Sequence, residues 1–92
     1  MKIEFDPAKN EKNIRERGLS FERVAEIDFN TALVFADTRH EYGETRYIAV
    51  CYLDNRLHVL CFAETVEGIR VISLRKANDR EVKRYGKPKT ID

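Results

Sequence analysis

The sequence predicts an α+β fold made of two N-terminal helices, a largely antiparallel sheet of three or four strands, and a C-terminal helix, with the helices on one face of the sheet. Two observations support this prediction. Helix-capping signals flank two segments early in the chain and one near its end. Between them lie apolar runs rich in β-branched and aromatic residues, which are typical of strands. The length predicts a single domain spanning residues 1–92.

The N-terminal part opens with KIEF, which could form an edge strand, and continues with two helix signals. Asp6 suits an N-cap and Pro7 the first helical position, and Gly18 suits the C-terminal end of the helix PAKNEKNIRER. This helix has one large apolar residue, Ile14, so it can add little to a core. Ser20 begins a second helix, FERVAEIDF, which has an apolar stripe.

Four apolar runs follow, TALVFAD, TRYIAVCYL, RLHVLCFAE and GIRVISLRK. If Asp54-Asn55 is a two-residue hairpin turn, the paired residue numbers of the second and third runs sum to 109. If TVEG is the next loop, Arg46, Ala63 and Arg70 align across three strands. With strands about 4.8 Å apart, the two guanidinium groups would then lie about 10 Å from each other. The last helix, DREVKRY, has a capping-box sequence at its start.

The same register predicts the two faces of the sheet. One face should form the core, with Ile48, Val50, Tyr52, Leu57, Val59, Cys61, Ile72 and Leu74. The other face should carry Tyr47, Leu60, Phe62, Ser73 and the facing pair His58 and Arg75. It is apolar enough to require a cover, such as a partner protein.

Composition excludes several classes of protein. Seventeen Lys and Arg against sixteen Asp and Glu give a net charge of +1, so bulk charge does not indicate a nucleic-acid binder. We expect no membrane span, signal peptide, metal site or cofactor, since no apolar stretch or metal-ligand spacing suggests one. Cys51 and Cys61 both lie inside apolar strand-like runs, and this placement fits buried free thiols in a reducing cytoplasm better than a disulfide.

The segment DTRHEYGETR, followed by the predicted strands, carries residues suited to RNA cleavage without a metal ion. Such cleavage requires a base, an acid and cations that stabilise the phosphorane, and arginine binds phosphate bidentately. We assign Arg46 and Arg70 as the cations, and His40 as acid or base because imidazole exchanges protons near neutral pH. Glu44 would orient a catalytic group or act as the base. The further candidates for phosphate or RNA binding are Arg75, Lys9, Lys12 and Arg80.

Ordinary explanations stand beside these assignments. A histidine in a polar loop is often only solvated, and Glu44 with Arg46 could be a surface pair. Arg70 could simply shield the end of a sheet. Lys9 and Lys12 could serve only to keep the polar helix in water, and the basic run around the last helix could be a solvated face.

Four segments in order resemble the BrnT family of bacterial toxins: FDPAKNEKNIRERGLSFERVAEI, DTRHEYGETRYIAV, RLHVLCFAE and IRVISLRKANDREVKRY. The resemblance runs from about Phe5 to Tyr85. The positions that match the family's motifs are Asn13, Gly18, Ser20, Phe21, His40, Glu44, Arg46, Arg70, Ser73, Arg75, Glu81 and Tyr85.

The resemblance implies a RelE-like ribonuclease toxin of a type II toxin–antitoxin pair, which cuts RNA and inhibits translation. Its partner would be a BrnA-type antitoxin with a ribbon-helix-helix domain. That complex would bind operator DNA through the antitoxin, repress its own operon, and contain two copies of each protein.

The sequence departs from the family pattern in three places. Glu16-Arg17 stands where the family has Lys-His, a tryptophan near the start is missing, and Thr65 or Val66 replaces a basic residue. These departures suggest an alternative to the ribonuclease: a toxin-like module with weak or absent catalysis, which acts mainly in the antitoxin complex that represses the operon.

Overall fold

The computed structural model describes residues 1–86, so the last six residues of the predicted domain lie outside it. Its strands are β1 (Lys2–Phe5), β2 (Leu33–Ala36), β3 (Arg46–Leu53), β4 (Arg56–Glu64) and β5 (Gly68–Lys76). Its helices are α1 (Pro7–Arg17), a 3₁₀ helix (Phe21–Glu26) and α2 (Asp79–Tyr85). The sheet order is β1-β5-β4-β3-β2. No helix within residues 1–86 is long and apolar enough to cross a membrane.

The predicted fold class is wrong in its strand number, its sheet type and its second helix. The sheet has five strands and is mixed, because β1 pairs in parallel with β5 while the other pairs are antiparallel. Phe21, Val24 and Ile27 are buried, and their spacing of three residues matches a 3₁₀ helix better than an α-helix. The KIEF run, taken only as a possible strand, is an integral edge strand. Strands dominate the structure.

Local signals in the sequence correctly located several elements. The Asp6 side chain accepts a hydrogen bond from the Ala8 amide, and α1 ends at Gly18 in the left-handed conformation. Asp54 and Asn55 both have positive φ, and β3 pairs with β4 in the predicted register. The capping box of Asn78 and Glu81 begins α2.

A β-bulge in β5 changes which residues share a face. Phe62 pairs with Val71, but Cys61 pairs with Ser73, so Ile72 is an extra residue in β5. Leu74 therefore faces Leu60, and Arg75 faces Val59 instead of His58. The predicted places of Leu74, Ser73 and Arg75 were wrong for this reason.

The main core lies on the face that was expected to require a partner. The 3₁₀ helix packs there with β-strand residues that include Leu60, Phe62, Val71 and Leu74. The opposite face carries a smaller cluster of Ile48, Val50, Leu57, Val59, Cys61 and Ala77, with Tyr85 packed against it. We call this second face the open face. Helical segments thus lie on both faces of the sheet, not on one as predicted.

Helix α1 is attached by side-chain amides. Its Ile14 is exposed, whereas Asn13 is buried and donates hydrogen bonds to the carbonyl oxygens of Leu19 (2.8 Å) and Leu74 (3.0 Å). The side-chain oxygen of Asn10 accepts from the Phe21 amide at 2.7 Å. These bonds hold α1 beside β5, which brings its basic residues to the rim of the open face.

Candidate functional site

Two arginines of the open face converge on one carboxylate. Arg46 and Arg70 both align with Ala63, as the sequence predicted. Glu44 Oε2 accepts a hydrogen bond from Arg70 Nη2 at 2.6 Å and from Arg46 Nε at 3.3 Å. We call these two arginines the arginine row. The hydrogen bond from Arg70 and, to a smaller extent, that from Arg46 lower the pKa of Glu44.

The loop before β3 is organised around a buried aspartate that the sequence analysis did not select. The Asp37 side chain is 1% exposed. Its two oxygens accept from Arg39 Nε and Arg39 Nη2, both at 2.8 Å, and Oδ2 also accepts from the Tyr42 hydroxyl at 3.0 Å. The hydrogen bonds from the Arg39 side chain are the main reason that the pKa of Asp37 lies well below its ordinary value.

The Tyr42 ring connects His40 to the arginine row. The Arg46 guanidinium carbon lies 4.1 Å from the centroid of that ring, which is a cation–π contact. The His40 ring packs edge-on against Tyr42, with centroids 5.6 Å apart. The loop therefore folds so that His40 and Arg46 contact the same ring.

A groove of about 480 Å³ lies on the open face beside the row. Its apolar floor includes Ile48, Val50, Val59 and Cys61, and its rim includes Arg17, Arg39, Arg75, Glu81 and Tyr85. The candidates His40, Glu44, Arg46 and Arg70 are not among its lining residues. The groove and the arginine row are neighbours, because the groove residues Ile48 and Cys61 form a facing pair two residues along β3 and β4 from the pair of Arg46 and Ala63.

Arg75 forms a bidentate ion pair with Glu81, with N–O distances of 2.7 and 2.9 Å. The hydrogen bonds from Arg75 are the main reason that the pKa of Glu81 is lowered from 4.5 to about 2, and the hydrogen bond from the Asn78 amide contributes less. Arg75 is therefore partly neutralised, and a phosphate would have to share it with Glu81. It lies on the open face only because of the bulge at Ile72.

The lysines predicted to bind RNA lie along a second groove, of about 270 Å³. Lys9, Lys12 and Glu16 of α1 line it, together with Arg17 and Ser73, which also line the first groove. Arg17 Nη1 donates to the neutral Asn13 side chain at 3.1 Å, so its charge is not cancelled there. Arg80, the remaining candidate, is exposed on α2 and lines neither groove.

Asp37, Tyr42 and Arg17 are the residues that sequence reasoning missed or undervalued. The spacing of Asp37, Arg39 and Tyr42 within a polar loop was a weak signal, since only burial shows that they form a network. Within the described residues, no three His, Cys, Asp or Glu side chains are grouped as metal ligands.

Comparison with known protein families identifies a family for this chain. The family model described as "Ribonuclease toxin, BrnT, of type II toxin-antitoxin system" matches residues 5–81. This confirms the resemblance noted from the sequence over most of its extent. No curated protein matches the chain at a significant level.

Proposed function

The chain belongs to the BrnT family of ribonuclease toxins of type II toxin–antitoxin systems, and we propose that it cleaves RNA at the arginine row without a metal ion and thereby inhibits translation. The observation that carries this proposal is the shared contact of Arg46 and Arg70 with Glu44 Oε2. Two guanidinium groups that reach one carboxylate oxygen can also reach one phosphate oxygen, since arginine recognises both anions with the same geometry.

In the proposed reaction the ribose 2′-oxygen attacks phosphorus, and the bond from phosphorus to the 5′-oxygen breaks. Arg46 and Arg70 stabilise the negative charge of the phosphorane, which is the larger contribution expected in such a site. The 2′-hydroxyl loses a proton and the leaving 5′-oxygen gains one; His40 transfers one of these protons, and solvent water exchanges the other. The hydrogen bonds from Arg46 and Arg70 to Glu44 support a role in orienting the two arginines before RNA binds.

The RNA strand would extend from the row along the two grooves. Arg17 and Ser73 line both grooves, which supports a continuous path from Arg75 to Lys9 and Lys12. Arg80 would contact the strand only beyond this path, since it lies outside both grooves. Phosphate contacts of this kind bind RNA without sequence preference and weaken as salt increases.

Membership of a type II system implies an antitoxin partner. We propose that this partner is a BrnA-type protein with a ribbon-helix-helix domain, that the pair acts in the cytoplasm, and that the complex contacts operator DNA through the antitoxin. Co-expression with such an antitoxin should abolish growth arrest and yield one complex on a sizing column. Failure of the two proteins to co-purify would contradict the assigned partner.

The test of the reaction uses a fluorescent single-stranded RNA and purified chain in the presence of EDTA. Wild type should cleave it, and Arg46→Ala or Arg70→Ala should lower the rate about 100-fold, as for loss of one donor to a developing oxyanion. Arg56→Ala is the matched control, because Arg56 is exposed at the opposite end of β4 from Ala63. Cleavage at the wild-type rate by both folded variants would refute the role of the arginine row. Loss of wild-type cleavage in EDTA would refute metal independence.

A second candidate function is a toxin-like module with little or no nuclease activity, which acts mainly in the antitoxin complex that represses its operon. Arg17 favours it, because the BrnT family has a histidine at that position, and a guanidinium cannot transfer protons as an imidazole can. RNA that stays intact at high concentrations of wild-type protein, together with tight antitoxin binding, would support this module over the nuclease.

A further inference from the structure

Asp37 is buried in a way that an ordinary surface loop does not require. Its carboxylate is removed from water, and burying a charge costs free energy unless donors replace the lost hydration. Here Arg39 and the Tyr42 hydroxyl supply those donors, and the Asp37 amide also donates to the Arg46 carbonyl oxygen at 2.7 Å. Asp37 thus contacts the backbone of Arg46 directly. It also contacts the Arg46 guanidinium indirectly, because Tyr42 bonds Asp37 through its hydroxyl and packs against the guanidinium through its ring.

The contacts of Arg46 are unequal. Its Nε lies 3.3 Å from Glu44 Oε2, which is a long hydrogen bond, whereas Arg70 holds the same oxygen at 2.6 Å. The face of the Tyr42 ring provides its second contact, at 4.1 Å. A phosphate that binds the row must displace Glu44 from Arg46, and the ring contact is the one that can remain.

We propose that Asp37 and Tyr42 are positioning residues for Arg46: Asp37 fixes the hydroxyl of Tyr42, and the fixed ring holds the Arg46 guanidinium in place for the scissile phosphate. This inference rests on the proposed function, since it assigns the network to the same site. Neither residue needs to contact RNA. Their contribution is geometric, and an error of about 1 Å in the position of a catalytic group can cost about 100-fold in rate.

The test is a double-mutant cycle measured on RNA cleavage. Asp37→Asn and Tyr42→Leu should each lower kcat about 10-fold and change KM less than about 3-fold, because the Arg46 charge remains but is misplaced. Tyr42→Phe keeps the ring face and should retain more activity than Tyr42→Leu. In an Arg46→Ala background, Asp37→Asn and Tyr42→Leu should have no further effect, since residues that act through one group are not additive.

A merely structural role gives a different result, in which each substitution lowers activity equally with and without Arg46. That outcome would overturn the proposal. Asp54→Asn is the matched control: Asp54 also accepts two hydrogen bonds from one arginine, Arg23, at 2.7 and 2.8 Å. It follows β3 at the end opposite Arg46, so its loss should leave kcat unchanged.

The NMR signal of the Arg46 Nε–Hε group provides a readout that does not depend on catalysis. The Tyr42 ring current should shift this signal in wild type, and Tyr42→Leu and Asp37→Asn should move it toward the value of a free arginine. If wild type does not cleave RNA, the proposed function fails, and this signal still decides the positioning role. An Arg46 signal that Asp37→Asn leaves unchanged would refute that role.

Discussion

Glu44, Asp37 and Glu81 are three carboxylates on or beside the open face, and each is held by arginine. Hydrogen bonds from arginine stabilise the charged form, so the pKa of each carboxyl is lowered. The hydrogen bonds show that these carboxylates are charge partners of the arginines. At the residue scale, His40, which packs against Tyr42, is the residue that we propose for proton transfer.

Glu81 allows a test of this electrostatic arrangement by pH. Its pKa is lower in the folded chain (about 2) than its ordinary value of 4.5, so its stabilising contribution is complete above about pH 4.5 and is lost as the pH falls toward 2. Glu81→Gln should lower the free energy of unfolding by about 1–2 kcal/mol at pH 7. Urea titrations at several pH values should show that the effect of Glu81→Gln on the free energy of unfolding becomes smaller as the pH falls toward 2. An equal effect at pH 7 and pH 2 would contradict this assignment.

At the scale of elements, α1 shows how a helix without an apolar face is retained in a small domain. Ile14 is exposed, so the attachment is made by two asparagine side chains. Asn10 accepts a hydrogen bond from the Phe21 amide in the 3₁₀ helix, and Asn13 donates to the carbonyl oxygens of Leu19 and of Leu74 in β5. The carbonyl of Leu74 lies beyond the segment of β5 that pairs with β1. The Asn13 amide therefore serves as its hydrogen-bond donor in place of a neighbouring strand.

Asn13→Ala should lower the free energy of unfolding by about 1–3 kcal/mol, because two carbonyl oxygens in a buried setting lose their donor. Chemical denaturation monitored by circular dichroism measures this loss. Glu11→Ala, an exposed position on the same helix, serves as the control and should change stability by less than about 0.5 kcal/mol. Equal stability of the two variants would show that Asn13 does not anchor α1.

For the whole molecule, the two edges of the sheet differ in their protection. The β1 edge carries charged residues, with Lys2 lying 3.4 Å from Glu4. The β2 edge, LVFA, is uncharged, and its large residues Leu33, Val34 and Phe35 are all exposed. Edge strands that remain free in solution are usually protected by charge or proline. We therefore expect the chain to associate through the β2 edge when it is alone.

Val34→Lys should reduce this association by placing a charge on the edge. Sedimentation velocity at increasing concentrations of the isolated chain should show self-association for wild type and a monomer for the variant. Val66→Lys introduces the same change at a fully exposed residue in the loop between β4 and β5, away from the edge. It should behave as wild type. A wild type that stays monomeric over the whole range would rule out association through β2.

Sequence alone determined the features that depend on local chemistry. The caps of α1 and α2 follow from residues within one turn, and the β3–β4 register follows from two turn residues that tolerate positive φ. Hence the alignment of Arg46 with Ala63 was predictable. The order of motifs also indicated the family.

Tertiary structure decided the features that depend on packing between distant segments. The extra residue Ile72 in β5 reverses the faces of the residues after it, and this places Arg75 on the open face, which the unbroken alternation did not predict. The parallel pairing of β1 with β5 joins two segments that are far apart in the sequence. The burial of Asp37 under Arg39 and Tyr42 likewise depends on how the loop packs against β3. Each is selected by the sum of non-local contacts, which no short stretch of sequence contains.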